Sequence, residues 1–277
     1  VKELPAKYKK LVEMYEPIEI AGFTLYPFTV EFYEEYLIAS AGIGYMQQSL
    51  PIDLMSVPLL SAFFKMDRER VVAGKNATGL LTSVVIALVL ALRLAKDQDD
   101  VRTQCEQFQQ VVSVDDPTNL KALMFTDAQG ETRTITPSQF AKMRPIIAAQ
   151  NGIEIRDELD NPELVQAEKD LAEKGAVKLD AKKTDMVDAA VVLSGVSEKE
   201  IYQWPVLRLT RLLKMHKRII DYQVCAIAEG SGAKWKGGNP TPHPFFQRIK
   251  DSSDALVDLN KFANGAGMQA MKDAGAI

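Results

Sequence analysis

Apolar positions along this chain fall into short strand-like and helical patterns, each closed by glycine or proline. After a charged, weakly helical stretch at 7–14, Ile18-Glu19-Ile20 and Phe23-Thr24-Leu25-Tyr26 alternate around Ala21-Gly22. That alternation predicts two short strands joined by a tight turn, which Pro27 ends. From Thr29 a helical pattern runs through Phe32, Tyr36, Leu37 and Ala39, with Gly42 and Gly44 expected to close it. Pro51 and Pro58 divide the next stretch, and an amphipathic helix is expected from Val57 to Arg70. Positions 76–92 carry no charge and end in a continuous apolar run, but they include Asn76, Thr78, Gly79, Thr82 and Ser83. A membrane span needs about 20 apolar residues, so the reading is a helix buried in the core or at an oligomer interface.

Asp97-Gln98-Asp99-Asp100 leads into a polar helix or turn containing Cys105 and Phe108. Residues 120–125 and 131–135 alternate apolar and polar about a Gly130 turn, a second hairpin. Thr136-Pro137-Ser138-Gln139 carries the marks of a capped helix start: a hydroxyl acceptor, proline at the first helical position and a glutamine that reaches back. That helix is expected to bend or stop near Pro145 and to end by Asn151-Gly152. A charged helix follows from Asn161, then a linker at 175–183. Thr184-Asp185 starts a helix closed by Ser194-Gly195, Ser197–Glu200 caps a short one, and a long helix follows Pro205 to about Glu229. The rest holds a Gly/Pro-rich arm and an amphipathic stretch at 245–262.

The fold class expected from this order is α+β and mainly α-helical. Small β-hairpins belong to an N-terminal part (1–160), a charged helix and linker to 161–183, and a helical C-terminal part to 184–277. No fixed-period repeat is visible.

Composition adds mostly exclusions. Of 277 residues, 47% are apolar and 25% charged, which suits a folded globular chain rather than a disordered one. A net charge of −4 argues against non-specific coating of nucleic acid, although a local basic patch would be averaged away. The first residues are charged and carry no signal-peptide pattern. Two cysteines and two histidines, none at metal-ligand spacing, offer neither a disulfide framework nor a zinc site. His216 reads as a surface or capping residue, and His243 as part of a rigid Pro-His-Pro loop. Asp99-Asp100 and Asp115-Asp116 suit turns and caps, and the glycines after Gly230 lack the context of a phosphate loop. The expectation is therefore no catalytic activity, no cofactor and no metal, with a carboxylate-only site left open.

The strongest candidate for a site is the long helix after Pro205. Arg208, Arg211, Lys214, Lys217 and Arg218 recur at spacings of three and four, which gathers positive charge along one side. Val206, Leu209, Leu212, Leu213, Ile219 and Ile220 supply the other side. With the capped helices before it, this segment has the order of a helix-turn-helix, so phosphate contact is one reading. The other is a solvated basic face that docks on an acidic partner, or on the acidic stretch at 154–173. The acidic net charge and the lack of a basic N-terminal arm favour that second reading. Trp204 and Trp235 read as packing anchors, and Trp235, between Lys234 and Lys236, also as a partner contact.

Several segments together resemble a known class of proteins. Ile146-Ile147-Ala148-Ala149-Gln150-Asn151 is followed by an acidic, proline-containing helix and a Lys-rich linker. Then come a helix at 186–193, Val196-Ser197-Glu198-Lys199-Glu200-Ile201-Tyr202, a basic helix ending Asp221-Tyr222-Gln223-Val224, and 232–236. This order resembles tail-region proteins of bacteriophages and prophages, the tail assembly and baseplate-hub assembly proteins. The resemblance implies a non-enzymatic assembly chaperone or structural subunit that binds other tail or baseplate proteins. It also implies a homo-oligomer, placed in the host cytoplasm during assembly or in the finished virion. No catalytic residue comes with it. The alternative is a nucleic-acid-binding module using the basic helix at 205–229.

Overall fold

Ala21 and Gly22 both take positive φ, 54° and 85°, the pair of left-handed conformations that a two-residue type I′ hairpin turn requires. They join β1 (Ile18–Ile20) to β2 (Phe23–Leu25), antiparallel with Ile18 opposite Leu25. The structure, a computed structural model, describes residues 4–127, 129–155, 182–232 and 243–245. These fall into two units, the first ending at Arg211 and the second beginning at Leu212. The fold is α+β and mainly helical, with two small antiparallel sheets.

The first unit is built around the apolar helix. α1 (Ala6–Glu13) precedes the hairpin, and a 3-10 turn leads into α2 (Tyr33–Ile43). α3 (Leu59–Val72) and α4 (Leu80–Ala91) follow, and ten of the twelve residues of α4 are buried. The uncharged stretch is thus a core helix, shorter than its sequence run because Gly79, at φ 80°, starts it. Among the described residues no helix is long and apolar enough to cross a membrane. α5 (Gln98–Glu106) starts on Asp97, whose carboxylate accepts the Asp100 N–H at 2.9 Å.

The second hairpin has a third strand. β4 (Leu120–Thr126) pairs antiparallel with β5 (Thr132–Ile135) as expected, and also with an edge strand β3 (Gln109–Val112). Every residue of β3 is exposed, so it carries no apolar alternation to betray it. Phe125 stacks on Phe108 at 5.0 Å and meets Phe23 at 6.3 Å, which joins the two hairpins in one core.

Gly42 does not close α2; it lies inside the helix, and Gly44 is the residue beyond its end. A Cβ at Gly42 would sit 3.0 Å from the Ser83 Cβ and 3.1 Å from both the Leu80 carbonyl and a Val84 methyl. The glycine permits the close approach of α2 to α4, the most extensively packed pair of helices. Gly42→Val should therefore cost about 2 kcal/mol in denaturant unfolding, because the neighbours include backbone that cannot yield. A midpoint equal to wild type would show that the two helices separate at no cost.

α6 (Pro137–Asn151) begins with the capping box read from its sequence: Gln139 N–H donates to Thr136 Oγ1, and Gln139 Oε1 accepts the Thr136 N–H. It does not stop at Pro145. An internal proline costs about 3 kcal/mol, but Ile146, Ile147, Ala148, Gln150 and Asn151 beyond it are all buried, and their burial carries the helix on. Gly152 ends it at φ 67°, where a Cβ would lie 2.9 Å from Leu207. Two buried side chains at this end hold the hairpin segment. Gln150 Nε2 donates to the Glu16 and Leu25 carbonyls, and Asn151 Oδ1 accepts the Phe28 N–H at 2.7 Å.

Residues 182–211 belong to the same unit. α7 (Lys183–Ser194) starts with Asp185 accepting the Lys182 N–H, and α8 (Glu198–Tyr202) with Ser197 Oγ accepting the Glu200 N–H. α9 (Val206–Gly230) is tied down at its first residue. Val206 N–H donates to the Phe28 carbonyl and Val30 N–H to the Trp204 carbonyl, both at 2.9 Å, around an antiparallel bridge between Thr29 and Pro205. The expected charged helix, most of the expected linker and the amphipathic stretch after Phe245 lie outside the described residues.

Candidate partner-binding face

In the first unit the opening turns of α9 bury Val206, Leu207 and Leu209 and leave Arg208 and Arg211 exposed. Each arginine lies on an aromatic ring. The Arg208 guanidinium is 3.9 Å from the centroid of Trp204, and that of Arg211 is 5.6 Å from Tyr15, whose hydroxyl accepts a bond from Arg211 Nη1 at 3.4 Å. Trp204 is buried, 5% exposed, and its Nε1–H has no hydrogen-bond partner, so it serves packing more than polar contact. Tyr15 takes a positive φ of 59° at the end of α1, a strained position for a side chain that large. Its N–H and that of Glu16 close the helix on the Val12 and Leu11 carbonyls. Nothing in the sequence connects Tyr15 with Arg211, 196 positions away.

In the second unit Lys214 is exposed, Lys217 pairs with Asp221 one turn on, and Arg218 is half-buried. Arg218 Nη2 donates to the His243 carbonyl at 2.8 Å, and the His243 ring packs edge-on against Tyr222 at 4.8 Å. Arg218 and His243 thus hold a chain segment. Ile220, Val224 and Ile227 are 43%, 59% and 69% exposed and form an apolar stripe at helical spacing. Arg208, Arg211 and Lys214 have no carboxylate partner among the described residues. Trp235 lies outside the described residues.

A second polar cluster escapes sequence reasoning, because its members are spread over residues 31–203. Gln98 Nε2 donates to the Glu31 carbonyl at 2.7 Å and to a Glu34 carboxylate oxygen at 3.1 Å. Lys183 Nζ, largely buried, meets the Glu34 carboxylate at 2.9 Å. Burial alone would raise the Glu34 carboxyl. The Lys183 hydrogen bond and charge, with bonds from the backbone and Gln98, outweigh it and hold the group below 4.5. A depressed carboxylate contributes stability above its unfolded pKa and loses it as pH falls through the folded value. Lys183→Met should thus destabilise by about 0.5 kcal/mol at neutral pH, and by less as acidification protonates the Glu34 carboxylate. Carboxyl-resolved NMR titration should show Glu34 moving up in the variant, and an unmoved value would sever the pair.

The described residues include no group of three His, Cys, Asp or Glu placed to hold a metal. Burial first and Glu106 second push the Cys105 thiol up to about 11, so it stays protonated at neutral pH and is a poor nucleophile. Among the described residues the first unit holds at least two concavities. One of about 220 Å³ lies between the start of the 3-10 turn, the end of α4 and Gln203. Another, about 470 Å³, lies beside Tyr36, Tyr45 and Ile153. Comparison with family models, with curated proteins and with solved structures finds no match to this chain.

Proposed function

We propose that the protein is a non-enzymatic phage tail or baseplate protein, a chaperone or a built-in subunit, that works by binding other structural proteins. The order of its segments supports the phage reading. The observation that carries the binding reading is the seating of Arg208 and Arg211. Both guanidiniums are exposed, fixed on aromatic rings and without an acidic partner among the described residues. Arginines held this way lose little side-chain entropy on contact, which is how such residues become binding hot spots. An acidic protein surface is the natural complement of the two guanidiniums.

The test pairs the purified protein with candidate tail and baseplate proteins by calorimetry. At least one should bind, and Arg208→Glu with Arg211→Glu should weaken that binding at least about tenfold. The thermal midpoint should hardly move, because an exposed charge contributes little to folding. Failure to bind any tail component would end the phage reading, and binding unaffected by the double reversal would end the role of this face. Salt-steep binding of an oligonucleotide, lost in the same variant, would replace both with the nucleic-acid module.

A further inference from the structure

β3 is an end strand of the three-stranded sheet and pairs with β4 alone. Just past it, the Ser113 N–H donates to the Asn119 carbonyl at 2.9 Å, so residue 113 faces β4. Backbone groups alternate in direction along a strand, so those of Gln110 and Val112 point away from the sheet. Among the described residues these N–H and carbonyl groups have no backbone partner. The ladder carries a bulge, but Val111 pairs with Ala122 and Val112 with Leu120. The extra residue is therefore Lys121 on β4, and β3 itself stays regular.

A free edge pairs with another strand unless lysine, proline, a bulge or a covering segment prevents it. β3 carries none of the first three: Gln109-Gln110-Val111-Val112 is uncharged, proline-free and exposed throughout. Val114, just beyond it, is 97% exposed. The sheet's other edge is protected. Arg133 in β5 lies over the Phe23 ring at 4.4 Å and donates to the Gly22 carbonyl of the first hairpin.

The surroundings of β3 favour neither an acidic nor a basic partner. Glu106 before it pairs with Arg102 at 3.1 Å, and Lys65 and Lys121 offset Asp116 after it. Asp115 lies in the bend beyond the strand. The edge therefore suits an uncharged, β-branched strand, and β3 is itself such a strand. One register uses all four outward groups of each copy. When Val111 lies opposite Val111 of a second copy on a two-fold axis, Gln110 of each exchanges both bonds with Val112 of the other. Gln109 then faces Ser113, and no like charges meet within the paired stretch. We propose that β3 is a self-association edge, through which two copies of this chain pair antiparallel about Val111 and join their sheets. A four-residue strand pair is smaller than the roughly 1,000 Å² of a lasting interface, so the dimer forms and parts with concentration.

The proposal does not depend on the phage reading, and its test needs only the full chain. Sedimentation velocity from micromolar to millimolar concentration should show monomer passing to dimer. Over the same range the Gln110 and Val112 amides, which face solvent in the monomer, should gain at least about tenfold protection from hydrogen exchange. Val111→Lys places two like charges together at the axis and should weaken association at least about tenfold. Gln110→Pro removes an N–H that the monomer leaves unpaired and should act alike. Both variants should keep the thermal midpoint of the dilute protein, and if the proline variant fails to fold, Val111→Lys decides. Thr134→Lys on β5 should associate as wild type does. The proposal is overturned if the protein stays monomeric at millimolar concentration, or if a dimer forms without protecting Gln110 and Val112. It is equally overturned if association survives Val111→Lys, or is lost as fully in Thr134→Lys.

Discussion

Trp204→Ala should lower the unfolding free energy by about 3–5 kcal/mol, the usual cost of emptying a buried aromatic site. Trp204 is 5% exposed and sits where residues 204–206 meet residues 28–30 through two backbone hydrogen bonds and a bridge. Its indole N–H has no partner to lose, so the loss is one of packing. The same substitution removes the ring under Arg208. Arg208→Gln separates the two roles, because it keeps the tryptophan and removes the cation, and should cost no more than about 1 kcal/mol. Chemical unfolding of both variants is the check. A small loss for Trp204→Ala would mean that the start of α9 is held by its backbone contacts alone.

This junction shows where sequence reasoning stops. The sequence announces local structure: the capping box at Thr136, the Ser197 cap and the Ala21-Gly22 turn all appear as their chemistry requires. Each depends on residues a few positions apart. The binding of residue 30 to residue 204 depends on backbone groups that look the same at every position, so no side-chain pattern signals it. β3 is hidden for the opposite reason, since a wholly exposed edge strand needs no alternation.

Glycine and proline mislead where packing overrides them. Gly42 reads as a stop, yet it is the contact point of α2 and α4. Pro145 reads as a break, yet the buried residues after it keep α6 going. The candidate face divides in the same way. The spacing of Arg208, Arg211, Lys214, Lys217 and Arg218 marks a cationic side, but only the fold shows which rings seat Arg208 and Arg211. It also shows that Arg218 is committed to the His243 carbonyl.

Asn151→Leu should cost about 3 kcal/mol, through polar groups left behind rather than volume lost. In the sequence Asn151-Gly152 reads as a helix ending, and Gly152 does end α6. The asparagine side chain points inward, 1% exposed, with Oδ1 accepting the Phe28 N–H and Nδ2 donating to the Ile147 carbonyl at 2.8 Å. Leucine is of similar size and fills the space, but it leaves the Phe28 N–H buried without an acceptor. An unsatisfied buried donor carries its full desolvation cost, about 1–3 kcal/mol, and the second hydrogen bond is lost as well. The neighbouring Phe28 carbonyl accepts the Val206 N–H, so the damage should reach the base of α9. Hydrogen exchange reads this directly: the Phe28 and Val206 amides should both lose protection in the variant while those of α4 keep theirs. If Val206 stays fully protected while Phe28 exchanges freely, Asn151 serves only the hairpin segment, and the base of α9 stands without it.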